Sequence, residues 1–286
     1  MNIAVTFLPR QEPPEVPPIA FIGGGNMASA IIGGLVRQEM PAGNFEVVEP
    51  WAEARARLAE EFGIEAQAAA GAALGRCKVV VWAVKPQSFA EAARAVRAHA
   101  APDALHLSVA AGIPSDSIAR WLGSERVVRA MPNTPALIGK GMTGLFARDA
   151  VDGAERKQVE QVLGPTGDLI WVDSEAALDA VTAMSGSGPA YVFYFIEAMT
   201  EAGVELGLSP AQAHRLALGT FGGATALAED AHDAPSVLRE RVTSKGGTTH
   251  AAISALDASG VKNAFKDAIR AAHARAAELG VEFGKD

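Results

Sequence analysis

Short β-rich runs alternate with Ala-rich stretches of helical length up to about residue 173. A glycine triplet closes the first run, and almost everything from residue 174 onward carries a helical pattern. Together these features predict an α/β chain, with an N-terminal Rossmann-type doubly wound sheet followed by an all-α C-terminal domain. The expected units are a proline-rich tail over 1–18, a dinucleotide-binding domain over 19–173 and a helical domain over 174–286. The composition agrees with this. At 286 residues, 49% hydrophobic and 20% charged, the chain has ample apolar material for a core and too little charge for wholesale disorder.

The same numbers exclude several classes of function. A net charge of −8 argues against a nucleic-acid binder, which needs a concentrated basic face. The sequence has no apolar run of membrane-spanning length, so no membrane partner is expected. The single cysteine, Cys77, permits neither an internal disulfide nor a Cys/His metal cluster, and fits a reducing, cytoplasmic setting. It precedes an apolar strand without an activating neighbour and reads as a small hydrophobe.

The elements follow in order. Five of the 16 prolines (Pro9, Pro13, Pro14, Pro17 and Pro18) fall within residues 1–18, and a run poor in backbone donors reads as an extended tail. Strands are predicted at 19–23, 45–49, 79–84, 105–109 and 127–130, with helices at 26–37, 51–62, 87–98 and 115–121. The uninterrupted run Val79-Val80-Val81-Trp82-Ala83-Val84 suits a strand buried on both faces of a parallel sheet. Further strands at 144–147 and 169–172 flank a helix at about 152–163. Beyond it, 185–188 reads as a small-residue turn, with Pro189 opening a helix through 202. Ser209-Pro210 opens another helix towards 230, and a third long helix covers 261–279.

Two loops carry chemistry. At the end of the first strand stands Gly23-Gly24-Gly25-Asn26-Met27-Ala28, a G-x-G-x-x-A pattern. Gly23 permits the tight turn, Gly25 lets the backbone approach a pyrophosphate, and Ala28 allows close helix–strand packing. The helix that follows aims its free N–H groups at the phosphates. Glu49, ending the second strand, can accept hydrogen bonds from an adenosine ribose, whereas Arg55 and Arg57 could meet a 2′-phosphate. The residues alone therefore leave NADH and NADPH open as cofactors. Lys85, at the carboxyl end of the third strand, either lines this cleft or is a surface lysine. The second loop, Thr243-Ser244-Lys245-Gly246-Gly247-Thr248-Thr249-His250, places two glycines and two threonines before a helix. It can hold a small carboxylate through backbone amides and hydroxyls, or it is simply a capped helix after a turn.

With these loops in place, the chain resembles the pyrroline-5-carboxylate reductase family from residue 19 to about 279. The resemblance rests on Ile22-Gly23-Gly24-Gly25-Asn26-Met27, Ala83-Val84-Lys85-Pro86-Gln87 and Arg129-Ala130-Met131-Pro132-Asn133-Thr134-Pro135. It continues in Ser185-Gly186-Ser187-Gly188-Pro189-Ala190-Tyr191 and in the second loop. It implies NAD(P)H-dependent reduction of the cyclic imine 1-pyrroline-5-carboxylate to L-proline, the last step of proline biosynthesis. It also implies that the helical domain dimerises, with dimers or rings of dimers as the assembly and the active site between subunits.

By position, the resemblance assigns dinucleotide contacts to Ile22, Gly23, Gly24, Gly25, Asn26, Met27, Ala83, Val84, Lys85 and Pro86. It adds the segment 108–112, including Ser108, Ala110 and Ala111. Ser244, Gly246, Gly247 and Thr248 are expected to cradle the substrate carboxylate, and Thr249 to hydrogen-bond the ring nitrogen. Lys245 stands where proline is also common, and His250 receives no role. A β-hydroxyacid dehydrogenase is the nearest alternative, but the lysine base such enzymes use has no convincing counterpart here.

Overall fold

The computed structural model describes residues 17–285. Apart from Pro17 and Pro18, the expected tail lies outside the described residues. Seven strands form one sheet: β1 (Ile19–Ile22), β2 (Phe45–Val48), β3 (Val79–Trp82), β4 (Leu105–Ser108), β5 (Val127–Met131), β6 (Gly141–Ala147) and β7 (Gly167–Trp171). Their order is β2-β1-β3-β4-β5-β6-β7. The first five run parallel, whereas β6 is antiparallel to β5 and β7 follows β6. The expected parallel sheet is thus mixed at one edge. Only a short stretch containing the turn Thr134–Ile138 joins β5 to β6, too little for a crossover helix, so the chain must turn back on itself.

Alternation along the strands sends side chains to two cores. Ile19, Phe21, Val79 and Val81 pack with α1 (Asn26–Arg37), Leu58 of α2 (Ala52–Phe62) and Val159, Val162 and Leu163 further along the chain. Ala20, Ile22, Val80 and Trp82 pack on the other face with α3 (Pro86–Val96) and α4 (Ser115–Leu122). A sheet buried on both sides needs continuous apolar strands, and these four-residue strands supply them.

α5 (Gly153–Leu163) starts at a capping box. The Asp152 carboxylate accepts from the Ala154 and Glu155 N–H groups at 2.8 and 2.9 Å, and Glu155 accepts from the Asp152 N–H in return at 2.9 Å.

After β7 every regular element is helical: α6 (Ala177–Val181), α7 (Gly188–Glu205), α8 (Pro210–Asp230), α9 (Pro235–Arg241), α10 (Thr248–Ala258) and α11 (Val261–Phe283). α6 and α9 are too short to leave a clear periodic signature. α6 runs directly into a π-helical turn, Thr182–Gly186, so the expected turn at 185–188 begins inside helical structure. α11 continues past Gly280 because its end is held by the sheet domain. Phe283 packs against the second core, and the Gly284 carbonyl accepts from Ser117 Oγ at 2.8 Å.

Two further polar clamps join the halves. Glu175 accepts from the Ser115 N–H and Oγ, each at 2.6 Å, and from Arg129 Nη1 at 2.7 Å. Four residues along from Arg129, Asn133 Nδ2 donates to the Ser185 carbonyl and Oγ at 3.2 and 3.1 Å.

The helical half is left open. α7 and α8 touch each other closely, with Gly203 leaving room for Ala213, yet Phe193, Tyr194, Leu216, Leu218 and Leu227 remain exposed. Among the described residues, no helix is long and apolar enough to cross a membrane. Large apolar side chains exposed in this number on one helical unit suit a protein contact.

Candidate active site

The strand order reverses direction between β1 and β3, the switch point at which open α/β sheets bind ligands beyond their carboxyl ends. A cavity of about 600 Å³ lies there, walled by Gly23 and Gly25, by Glu49 and Trp51, and by Ala83 and Lys85. Gly23 has φ +99°, and a Cβ on it would meet the Ala83 carbonyl oxygen at 2.6 Å, so the turn requires glycine for both conformation and space. A Cβ on Gly25 would meet nothing within 4 Å, which leaves its backbone open to the cavity. α1 begins immediately after it, with no side-chain cap and no acidic residue in its first turn. Such a helix start suits a pyrophosphate, and the residues present therefore fit a dinucleotide.

Glu49 is buried and binds two loops together. Its Oε2 accepts from the Gly24 N–H at 2.7 Å and its Oε1 from the Trp51 N–H at 2.9 Å. Arg57 also lines the cavity and donates from Nη2 to the Gly24 carbonyl at 3.2 Å. Arg55 lies outside the cavity lining, and its Nη1 donates to the Glu49 and Pro50 carbonyls at 2.9 and 2.7 Å.

Of the residues assigned from sequence, the cavity brings together Gly23, Gly25, Glu49, Ala83, Val84 and Lys85. Ile22 is a buried strand residue, and Gly24 is closed in behind Glu49 and Leu58. Asn26, Met27 and Pro86 open the adjoining helices α1 and α3 without entering this lining. Ser108, the last residue of β4, and Ala110 in the turn after it are buried, with Ser108 Oγ accepting from the Ala110 N–H at 3.3 Å, and Ala111 follows half-buried. Sequence reasoning missed Trp51 and Glu53 in the wall. Only their position just after a strand-end acid could have signalled them.

The second loop lies elsewhere, between α9 and α10. The Gly247 N–H donates to the Ser244 carbonyl at 3.0 Å, closing a turn. Gly246, at φ +78°, is its third residue, the value a type II turn demands there. Lys245 is the second residue, where proline suits this turn equally, and that explains the exchange. Thr248 and Thr249 form the first turn of α10, which has neither a side-chain cap nor an acidic residue. Its leading N–H groups are therefore available to an anion. Ser244, Gly246 and Thr248 are exposed, and Gly247 and Thr249 half-buried. None of the five lines the switch-point cavity of the same chain.

A further cavity of about 550 Å³ separates Asn133 and Ser185 from Tyr191, Phe221, Phe265 and Ile269. Its walls are mainly aromatic and aliphatic, unsuited to a carboxylate. No group of three or more potential metal ligands occurs among the described residues.

Burial pushes the Cys77 thiol up to about 11, with Glu46 adding to the effect, so it persists as an inert thiol.

A glycine turn at the switch point of a doubly wound sheet defines a dinucleotide-binding protein, here joined to a helical unit with exposed apolar residues. Comparison with known proteins narrows this class. The family described as NADP oxidoreductase, coenzyme F420-dependent, matches residues 18–112, and that described as pyrroline-5-carboxylate reductase dimerisation matches residues 175–279. The chain is 46% identical to the pyrroline-5-carboxylate reductase of Pseudomonas aeruginosa, over 95% of its own length and 100% of that protein. It is 41% identical to the Haemophilus influenzae enzyme, over 91% and 97%. The solved Coxiella burnetii reductase superposes with a TM-score of 0.87 at 36% identity, covering 93% of this chain and 99% of that one. The Plasmodium falciparum enzyme, solved with NADP bound, gives 0.82 at 26%, covering 92% and 98%. The chain belongs to the pyrroline-5-carboxylate reductase family, which decides against the β-hydroxyacid dehydrogenase alternative.

Proposed function

We propose that the chain reduces 1-pyrroline-5-carboxylate to L-proline with NADPH or NADH as hydride donor, at a site completed by a second subunit. The observation that carries this reading is the separation of two anion-accepting helix starts within one chain. One, at Gly23–Gly25, stands at the sheet; the other, at 244–249, stands on the helical unit and outside the sheet cavity. The apolar faces left open on α7 and α8 supply the means of bringing a partner's loop to the cofactor. The working division is a dinucleotide-binding unit over 19–173 and a helical unit over 174–286. The assembly is a dimer or a ring of dimers, in the cytoplasm.

The dinucleotide, when bound, supplies the hydride. This chain's residues position both reactants. The turn at Gly23 and Gly25 and the start of α1 hold the pyrophosphate, with Ala83, Val84, Lys85, Pro86, Ser108, Ala110 and Ala111 along its path. Ser244, Gly246, Gly247 and Thr248 hold the substrate carboxylate. Thr249 Oγ hydrogen-bonds the ring nitrogen, which becomes a secondary amine on reduction. A threonine hydroxyl is a weak acid, so it polarises the imine or relays a solvent proton rather than ionising. Orientation of this kind accounts for as much as about 7–11 kcal/mol of barrier lowering.

The direct test measures NADH and NADPH oxidation with pyrroline-5-carboxylate beside a panel of 2-oxo and 3-hydroxy acids. Turnover confined to the cyclic imine is the expected result. Turnover only with another acid would sink the proposal.

A further inference from the structure

The proposed reading leaves the cofactor's 2′ position undecided, and the cavity wall around Glu49 carries an answer. We infer that this site is built for an adenosine with a free 2′-hydroxyl, so that the enzyme prefers NADH to NADPH, and that Trp51 offers the adenine its stacking face. The inference rests on assigning the switch-point cavity to the dinucleotide.

The carboxyl end of β2 faces the adenosine ribose in this type of sheet. Glu49 stands there, 8% exposed, with one oxygen holding the Gly24 N–H and the other the Trp51 N–H. A carboxylate has about four acceptor positions, so two remain, and a carboxylate can only accept. Ribose hydroxyls can donate to them. A 2′-phosphate cannot, and it would bring its own negative charge against Glu49 and against Glu53, which lies in the same wall.

The basic residues do not reverse this balance. Arg55 is turned onto two backbone carbonyls and is absent from the wall. Arg57 lies in the wall and donates to the Gly24 carbonyl, and its single positive charge stands against two carboxylates. Lys85 enters the lining from the end of β3, at the start of α3, rather than from the β2 side where Glu49 stands.

Trp51 is the other unusual feature. The residue is 71% exposed in the wall of the cavity, although a large apolar ring gains nothing from that position in the folded chain. Its backbone is meanwhile fixed by Glu49. A pre-placed flat ring beside a ribose acceptor is what a purine requires, since every base presents a π-face.

The experiment is calorimetric titration of the full-length protein with NADH, NADPH, 5′-ADP and 2′,5′-ADP. We expect NADH to bind at least about tenfold more tightly than NADPH, and 5′-ADP more tightly than 2′,5′-ADP. Glu49→Gln should reduce that ratio about tenfold, and Glu53→Gln, which has no loop to hold, should move it in the same direction by less. Trp51→Ala should weaken both ADP probes about 5- to 100-fold with their ratio unchanged. Equal or tighter binding of NADPH and 2′,5′-ADP by the unaltered protein would overturn the cofactor preference. Unchanged ADP affinity in Trp51→Ala would overturn the stacking role. Failure of both NADH and NADPH to bind would instead overturn the dinucleotide assignment, and this inference with it.

Discussion

Thr249 and Ser244 share one loop, but the proposed chemistry separates them. Thr249 meets the atom whose protonation changes, so Thr249→Ala should lower kcat/KM by about 10²–10⁴-fold, the scale of a proton-transfer group. Ser244 meets the unreacting carboxylate, so Ser244→Ala should mainly raise KM. Steady-state kinetics on both variants checks the division, and abolished turnover at unchanged KM for Ser244→Ala would reverse it.

His106 plays no part in this chemistry but shapes the acid limit of the fold. It lies buried on β4 and its Nδ1 accepts from Trp82 Nε1 at 3.3 Å, which requires the neutral ring. Burial pulls its pKa from 6.5 down to about 4, with Arg126 assisting. The unfolded chain therefore binds the proton first, and the group's contribution to stability falls as pH drops from about 6.5 to 4. The loss is of order 3 kcal/mol. Urea titrations at pH 7 and pH 5 should show a lower midpoint at pH 5 in the natural chain, and a smaller difference in His106→Asn.

At the scale of elements, the start of each helix and the joint between the halves matter most. α1 and α10 both begin after glycine with no side-chain cap, as α11 does, and on the proposed reading the open N–H groups of the first two serve the ligands. α5, remote from the proposed sites, has the full capping box at Asp152 and Glu155. Asp152→Ala should therefore cost about 1 kcal/mol of stability with kcat unchanged, as measured by urea unfolding and steady-state rates. The Glu175 clamp should cost more. Its removal leaves the nearly buried Arg129 guanidinium without its carboxylate, and discounting for partial exposure, Glu175→Ala should lose about 2–3 kcal/mol. A midpoint equal to that of the unaltered chain would show that the two halves are held by other contacts.

At the scale of the whole molecule, the helical unit is unfinished as a single chain. Phe193 and Leu218 are 64% and 53% exposed on long helices, and burying such side chains is worth about 1.5–3 kcal/mol each. Phe193→Glu combined with Leu218→Glu should leave a folded chain that sediments as a monomer. On the shared-site reading it should also lose nearly all turnover while still binding the dinucleotide. A monomer that retains full activity would place the whole site within one chain.

Much of this organisation was legible in the residues themselves. Strands such as Val79–Trp82 and the first helix, Asn26–Arg37, follow from apolar runs and helical periodicity. The glycine turn is marked by the triplet Gly23-Gly24-Gly25 closing the first apolar run. Local pattern determines these features because each depends on neighbours in sequence. The reversal of β6 rests on pairings such as Val128 with Ala147, and the docking of α11 on the sheet domain and the Glu175 clamp depend on residues 46 to more than 160 positions apart, which no local period records. The same holds for Glu49. Its residue type marked a ribose acceptor, but only the folded loops show its oxygens holding Gly24 and Trp51, with Arg55 turned out of the cavity. The sequence by itself determined the class of fold, the family and the residue types of both proposed anion sites. The tertiary structure decided which of those residues share a wall, because charge and hydrogen bonding act through space rather than along the chain.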